Sequence, residues 1–317
     1  MKQTLGHDRA TIRQRTVSLM RRLAPSEGYT ATPVSGVRLL RSDRPLRTTP
    51  VLYEPGIVFV CQGRKKGMWG NQLYAYDPQH YLAVAVPLPF TMETEASAEE
   101  PLLAVYLTLD LPVVARIAIQ LDDLLGPPEQ APVSLLSTPI DEDLSACVLR
   151  LLEVIGSPVQ AAILSPGVIQ EIYFRVLSGT QGPALRAALS DKGRVARICK
   201  VLQRIHGAYA ESFAVDTLAS EAGMSVATFH THFKEVTHAS PLQYLKSLRL
   251  HKARLLMLRE NMTAAAAAVH VGYESASQFS REFKRLFGSS PALEVARLRS
   301  AYAMPEMPGP KQWISSH

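Results

Sequence analysis

Residues 225–241 and 275–291 repeat each other at an offset of 50. Ser225, Phe229, Phe233, Lys234, Ser240 and Pro241 fall on Ser275, Phe279, Phe283, Lys284, Ser290 and Pro291. Six identities at one offset within 17 residues mean that one supersecondary unit is built twice. In the first copy Val215–Ala222 reads as a short helix, Gly223 suits the left-handed position that ends it, and Ser225 caps a second helix. In that second helix Phe229, Phe233 and Val236 form a buried stripe at i, i+4 and i+7, which leaves Ala227, Thr228, His230 and Thr231 on wetter faces. The second copy runs from Thr263–His270 through Gly272 to a cap at Ser275 and a stripe of Phe279, Phe283 and Leu286. Its free positions are Ser277, Gln278, Ser280 and Arg281. A short helix, a glycine turn and a second helix with an exposed polar side make a helix-turn-helix, which reads base edges in the major groove of double-stranded DNA. The eight free residues are the candidate base readers.

Between the copies Pro241–Glu260 reads as a long connecting helix marked by Leu242, Leu245, Leu248 and Leu255. Roughly 17 residues at ~1.5 Å each give about 25 Å. With the widths of the flanking units added, the two reading helices come near one DNA turn, ~34 Å, apart. Lys234, Lys246, Arg249, Lys284 and Arg285 are the candidate phosphate contacts, which position without reading sequence.

Charge supports a nucleic-acid partner only when taken by segment. The net +6 hides +8 over residues 1–89, −9 over 90–189 and +7 over 190–300. Repulsion between the acidic middle and phosphates favours an extended two-domain arrangement on DNA. The Gly- and Pro-bearing stretch 179–193, where the sign changes, reads as a linker.

The first half reads as short strands, Val34–Leu40, Val51–Cys61, Met68–Tyr76, Tyr81–Val86 and Leu102–Leu109, with turn residues between them. Gln62–Gly67 is a hairpin candidate. Helical periodicity follows over Pro112–Leu125 and Asp141–Ile155, and from Ser165-Pro166 to about Leu177. The last two helices either cover the sheet or pair across a dimer. The fold class expected is α+β with two domains, an N-terminal barrel or sandwich with appended helices and a C-terminal all-α tandem helix-turn-helix. The segments are a helical extension at 1–33, an effector and dimerisation domain at 34–178, the linker at 179–193, the DNA-binding domain at 194–300 and a flexible tail at 301–317.

Other chemistry is poorly provided for. Residues 1–189 contain only His7 and His80, so a three-histidine metal set cannot form there. His230 and His232, two apart on a helix, point in different directions, and no GxSxG, GxGxxG or Walker loop is present. No enzyme, metal or cofactor is therefore expected. The longest apolar run, Ala264–Val269, is far short of a membrane span, and the N-terminus lacks the apolar core of a secretory signal. Three scattered cysteines fit the reducing cytoplasm. Cys61, beside Arg64, Lys65 and Lys66, is either a redox or electrophile sensor activated by those cations or a small buried hydrophobe in a strand.

The segment LASEAGMSVATFHTHFKEVTHASPLQYLKSLRLHKARLLML, followed by VGYESASQFSREFKRLFGSSP, resembles the double helix-turn-helix domain of the AraC/XylS family of bacterial transcription regulators. The match runs from near Val195 to Arg299. Three positions depart from the family pattern: Thr231 where arginine is frequent, His238 where glycine is usual, and no tyrosine after the second Ser-Pro pair. TPVLYEPGIVFVCQGRKKG, LYAYDPQHYLAVAVPLPF and EEPLLAVYLTLD resemble the AraC-type N-terminal domain, which implies a small cupin-like barrel. The resemblance implies a cytoplasmic, effector-controlled regulator, an activator on family precedent, with RNA polymerase as a partner and a homodimer as its assembly. Some members of this branch are thought to respond to small reactive or aromatic molecules. Phe59, Trp69, Tyr74, Tyr76, Tyr81 and Phe90 are the apolar candidates for the effector pocket. The alternative is an architectural or ligand-sensing DNA-binding module without direct transcriptional activation.

Overall fold

A computed structural model describes residues 2–189 and 194–302, with side chains described over 10–189 and 194–299. Helix α1 (Lys2–Leu23) leads into nine strands: β1 (Gly28–Ala31), β2 (Val37–Ser42), β3 (Leu46–Tyr53), β4 (Gly56–Gln62), β5 (Arg64–Trp69), β6 (Gln72–Tyr76), β7 (His80–Val84), β8 (Leu88–Glu95) and β9 (Leu102–Thr108). Helix α2 (Leu111–Leu125), strand β10 (Leu135–Pro139), and helices α3 (Glu142–Ile155), α4 (Pro158–Ser178) and α5 (Gly182–Leu189) complete the N-terminal half. The C-terminal half is helical: α6 (Arg194–Gly207), α7 (Val215–Glu221), α8 (Val226–Thr237), α9 (Pro241–Arg259), α10 (Ala264–His270), α11 (Ala276–Phe287) and α12 (Pro291–Tyr302).

Two antiparallel sheets, ordered β1-β2-β9-β4-β7-β10 and β3-β8-β5-β6, face each other. Register fixes which residues lie between them. Lys65 pairs with Thr94 on one side and Tyr76 on the other, so these three share one face of the smaller sheet. Val58 pairs with Tyr106 and Leu82, putting those three on one face of the larger sheet. Tyr106 contacts Tyr53 and Lys65 of the smaller sheet, so that face is the interior. Phe59 and Tyr81 have the opposite parity and lie on the outer face, which α1 packs against at β4 and β9, whereas Cys61 sits where the β4–β9 register shifts.

Several elements differ from the sequence reading. Val51–Cys61 is two strands, because Pro55 interrupts the ladder, and Met68–Tyr76 is a hairpin turning at Gly70. Gln62–Gly67 is no hairpin. The chain turns at Gly63 (φ +78°) and passes from one sheet to the other, and a Cβ at Gly63 would stand 3.0 Å from Leu102 Cα. The helix placed after Ser165-Pro166 starts at Pro158, with Pro166 inside it. The linker segment folds as α5 over Gly182–Leu189, with Leu185 and Ala188 buried; 190–193 lie outside the described residues, as do 303–317 of the expected tail.

The C-terminal half is packed against the barrel rather than held apart. Phe229, Phe233, Tyr244 and Leu248 belong to the same buried cluster as the barrel, while Phe279, Phe283 and Phe287 form a second cluster with Met257 and Val271. Helix α9 is therefore buried on more than one side. Tyr244, Leu250, Ala253 and Met257 are enclosed, whereas Leu242 and Leu255, expected on its buried stripe, face solvent. Tyr244 Oη donates to Pro87 O (3.0 Å) and Arg254 Nη2 to Pro50 O (2.8 Å).

Candidate nucleic-acid interface

Each repeat builds its reading helix in the same way. Ser225 Oγ accepts from Thr228 N and Ser275 Oγ from Gln278 N, so both helices start at a satisfied cap. Phe229 and Phe233, like Phe279 and Phe283, are fully buried, which rotates the remaining positions outward. Ala227, Thr228, His230 and Thr231 on α8, and Ser277, Gln278, Ser280 and Arg281 on α11, are all exposed. The barrel leaves both rows uncovered. Within them Thr231 Oγ1 turns back to Ala227 O, and Gln278 Nε2 donates to Glu282 Oε1 (3.2 Å), so Gln278 meets a base edge only by exchanging that partner.

The five phosphate candidates separate into two groups. Lys234, Lys284 and Arg285 are exposed near the ends of the reading helices, as phosphate contacts require. Lys246 is held by Glu282 (2.8 Å), a carboxylate that also accepts from Tyr273 Oη (2.7 Å). Arg249 is a clamp: Nε donates to Tyr209 O (2.7 Å), Nη2 to Glu211 O (2.8 Å) and Nη1 to Gly272 O (3.0 Å). These bonds tie the loop after α6 to the turn of the second repeat. Gly272 (φ +84°) admits that approach, since a Cβ there would stand 2.2 Å from Ala210 O. Arg249 thus commits all three of its nitrogens to backbone carbonyls and keeps a single Nη1–H for anything else in this arrangement.

The repeats differ at their C-caps. Gly288 (φ +77°) ends α11 in the left-handed conformation, and His238 (φ +55°) does the same for α8. A side chain there is strained, but the His238 ring packs edge-on against Trp69 with centroids 4.1 Å apart. Gly70, at the tip of the β5–β6 hairpin, makes room for it: a Cβ there would stand 2.6 Å from His238 Nδ1. The barrel thus touches the end of the first reading helix.

The six effector candidates are not one pocket. Phe59 and Tyr81 pack as a tilted pair, centroids 5.9 Å apart, on the outer face of the larger sheet, away from the interior. Trp69 and Tyr74 front a cleft of about 1020 Å³ that also touches α2, α5 and His232 and Glu235 of α8. Tyr76 and Phe90 lie in the barrel interior, among Tyr53, Met92 and Tyr106. Sequence reading missed the polar members of that interior. Lys65 is fully buried and its ammonium donates to Tyr106 Oη (2.9 Å), while the Tyr53 and Tyr76 hydroxyls lie 2.7 Å apart. Burial pulls the Lys65 pKa down to about 8. The signal was parity, since Lys65, Gly67 and Trp69 alternate in step on one strand. Cys61 is buried, and desolvation pushes its thiol up to about 12, the condition of a packed rather than a reactive cysteine. Among the described residues no group of three or more His, Cys, Asp or Glu is placed to hold a metal ion, and no helix is long and apolar enough to cross a membrane.

Comparison with known proteins agrees with both halves. The family described as AraC-type transcriptional regulator N-terminus matches residues 33–184, and a helix-turn-helix domain family matches 218–293. The RCS-specific HTH-type transcriptional activator RclR of Escherichia coli K12 is 36% identical over 103 residues, 32% of this chain and 36% of that protein. The thermoregulatory protein LcrF of Yersinia pestis is 22% identical over 244 residues, 75% of this chain and 88% of that protein. Coverage of relatives such as RclR is thus about a third of their length. An apo, singly substituted form of ToxT from Vibrio cholerae shares the fold over 85% of this chain and 98% of its own (TM-score 0.59, 13% identity). The unsaturated-fatty-acid-bound wild-type ToxT does so over 82% of this chain and 93% of its own (TM-score 0.56, 14% identity).

Proposed function

The chain belongs to the AraC-type transcriptional regulators, and on that premise we propose that it is a cytoplasmic, sequence-specific activator of transcription controlled by a small-molecule effector. Double-stranded DNA is its target, and α8 and α11 enter two successive major-groove segments. The observation that carries this reading is the pair of capped helices whose polar rows stay exposed while their phenylalanines are buried. Connector α9, with 19 residues, separates the two by about 28 Å, close to the ~34 Å of one DNA turn once their own widths are added. Lys234, Lys284 and Arg285 supply the phosphate contacts. The curated relatives include named activators, which supports activation and contact with RNA polymerase, and the ToxT complex with a fatty acid supports small-molecule control.

The test is a gel shift on DNA upstream of the protein's own gene against random DNA, at two salt concentrations. Arg281→Ala is expected to cost about 1–3 kcal/mol and to relax preference at one base pair, whereas Lys284→Ala weakens all sequences alike and lowers the salt slope. Binding that depends on salt and ignores sequence would instead establish the architectural alternative.

A homodimer accompanies this reading. Val159 and Ile163, one turn apart on α4, are 75% and 73% exposed, which is costly for a helix that buries nothing there. Light scattering is expected to give twice the chain mass for the native protein and the single mass for Ile163→Glu; a monomeric native protein rejects the assembly.

A further inference from the structure

We infer that the barrel interior behind Tyr106 is a binding site for a small organic anion, held by Lys65, with Arg38 and Arg259 at its rim. The inference rests on the barrel being the effector domain and adds the chemical class of the effector.

Lys65 is the first observation. A buried ammonium is costly unless an opposite charge and hydrogen bonds replace its water. It has one phenol, Tyr106 Oη, and among the described residues no carboxylate within 4.0 Å. Thr94 is the second. It faces Lys65 directly across the β5–β8 ladder, is 2% exposed, and its hydroxyl has no hydrogen-bond partner. An ammonium with donors to spare beside an idle hydroxyl is a half-made anion site.

The rim supplies the third observation. Tyr106 is only half-buried, and Tyr29, mostly exposed, stacks edge-on against it at 5.6 Å. The Arg38 guanidinium lies 5.7 Å over the Tyr29 ring. Arg259, at the C-terminal end of α9, lies near Arg38 and Tyr29, and burial together with the like charge of Arg38 lowers its pKa. Among the described residues neither arginine has a carboxylate within 4.0 Å, although arginines elsewhere in the chain are paired, as in Arg41–Asp43 and Arg175–Asp143. Three cations around two tyrosine rings, on β2, β5 and α9, form a positive approach to a buried amine. Occupancy joins the barrel to the helix that spaces the two DNA readers, so the ligand reports to DNA binding through Arg259.

The test uses the full chain and three carboxylates, acetate, benzoate and hexanoate, each against its own amide at constant ionic strength, read as a shift of the thermal midpoint. At least one acid is expected to stabilise the protein saturably, with an apparent Kd at least tenfold below that of its amide. Lys65→Met abolishes the preference, and Arg259→Gln weakens it severalfold. Should Lys65→Met fail to fold, Arg259→Gln and Arg38→Gln carry the test, both altering half-buried or exposed side chains. The anion site is overturned if no acid outperforms its amide, or if the preference survives these substitutions unchanged. A gel shift on the same samples keeps the two readings apart. Sequence-specific DNA binding without a carboxylate preference removes the anion site alone, whereas loss of sequence specificity removes the regulator itself.

Discussion

An amine sealed among phenols titrates where an exposed lysine does not. With its folded pKa lowered to about 8 from an ordinary 10.5, Lys65 binds fewer protons in the folded than in the unfolded chain across that window. Stability therefore rises as pH goes from about 8 towards 10.5, and below 8 the buried charge costs on the order of 3 kcal/mol. Lys65→Met is expected to raise the denaturation midpoint at pH 7 and to flatten the rise above pH 8. Urea titrations of both proteins at pH 7, 8, 9 and 10 check this, and parallel pH profiles would refute it. A bound anion favours the charged amine and raises its pKa, so affinity for the carboxylate is expected to weaken as pH rises from about 8 to the higher pKa of the complex. The same residue explains a miss in the sequence reading. Arg64-Lys65-Lys66 looks like a solvated turn, and the parity that points Lys65 inward can be read only once the sheet corner at Gly63 is placed.

At the scale of elements, capping and periodicity made the C-terminal half legible. Ser225 and Ser275 cap where expected, and Phe229, Phe233, Phe279 and Phe283 fill the predicted core. Those signals are local and survive tertiary context. The strands were harder. In β8 the interior set Leu88, Phe90, Met92 and Thr94 alternates cleanly with outward Thr91, Glu93 and Glu95, but Pro87 and Pro89 disguise its start as a turn. The five-residue β10 pairs with β7, more than fifty positions earlier, a register no local pattern encodes. For α9 the error was one of face: a helix packed from two sides has no single apolar stripe. The unlike caps allow a quantitative check. His238→Gly relieves roughly 1 kcal/mol of left-handed strain and forfeits an aromatic contact of about 0.5–1.5 kcal/mol. In a double-mutant cycle with Trp69→Ala, the glycine is therefore expected to stabilise more once Trp69 is gone, with a coupling of about 0.5–1.5 kcal/mol. Additivity within about 0.3 kcal/mol would mean that the ring contact contributes nothing.

For the whole molecule, segmental charge suggested an extended arrangement on DNA, and in the free chain the structure packs the two halves together. Phosphate repulsion acts only when DNA is present, whereas burial of Tyr244 and Arg254 acts in the free chain. His206 reinforces the contact: its Nε2 lies 2.7 Å from Tyr244 Oη, and burial, with Lys252 nearby, keeps its pKa down at about 4, so the ring stays neutral at neutral pH. The native chain is expected to melt in one transition. Combining Tyr244→Phe with Arg254→Met removes both bonds to the barrel carbonyls and is expected to split the calorimetric trace into two. A single, unmoved transition in the double variant would show that the halves do not depend on these bonds.

The seat of α9 also has a history in time. Pro50 waits for a guanidinium 204 residues further along the chain, and Pro87 for a hydroxyl 157 residues further along. At roughly 5–20 residues per second, a ribosome takes about 6–23 s to pass from the end of β10 at Pro139 to Arg254, and the seat is bare for that time. Each newly made chain thus passes through a stage with a finished barrel, an open docking face and no DNA reader. Whatever occupies the face in that interval competes with the protein's own connector helix before the regulator exists as a regulator.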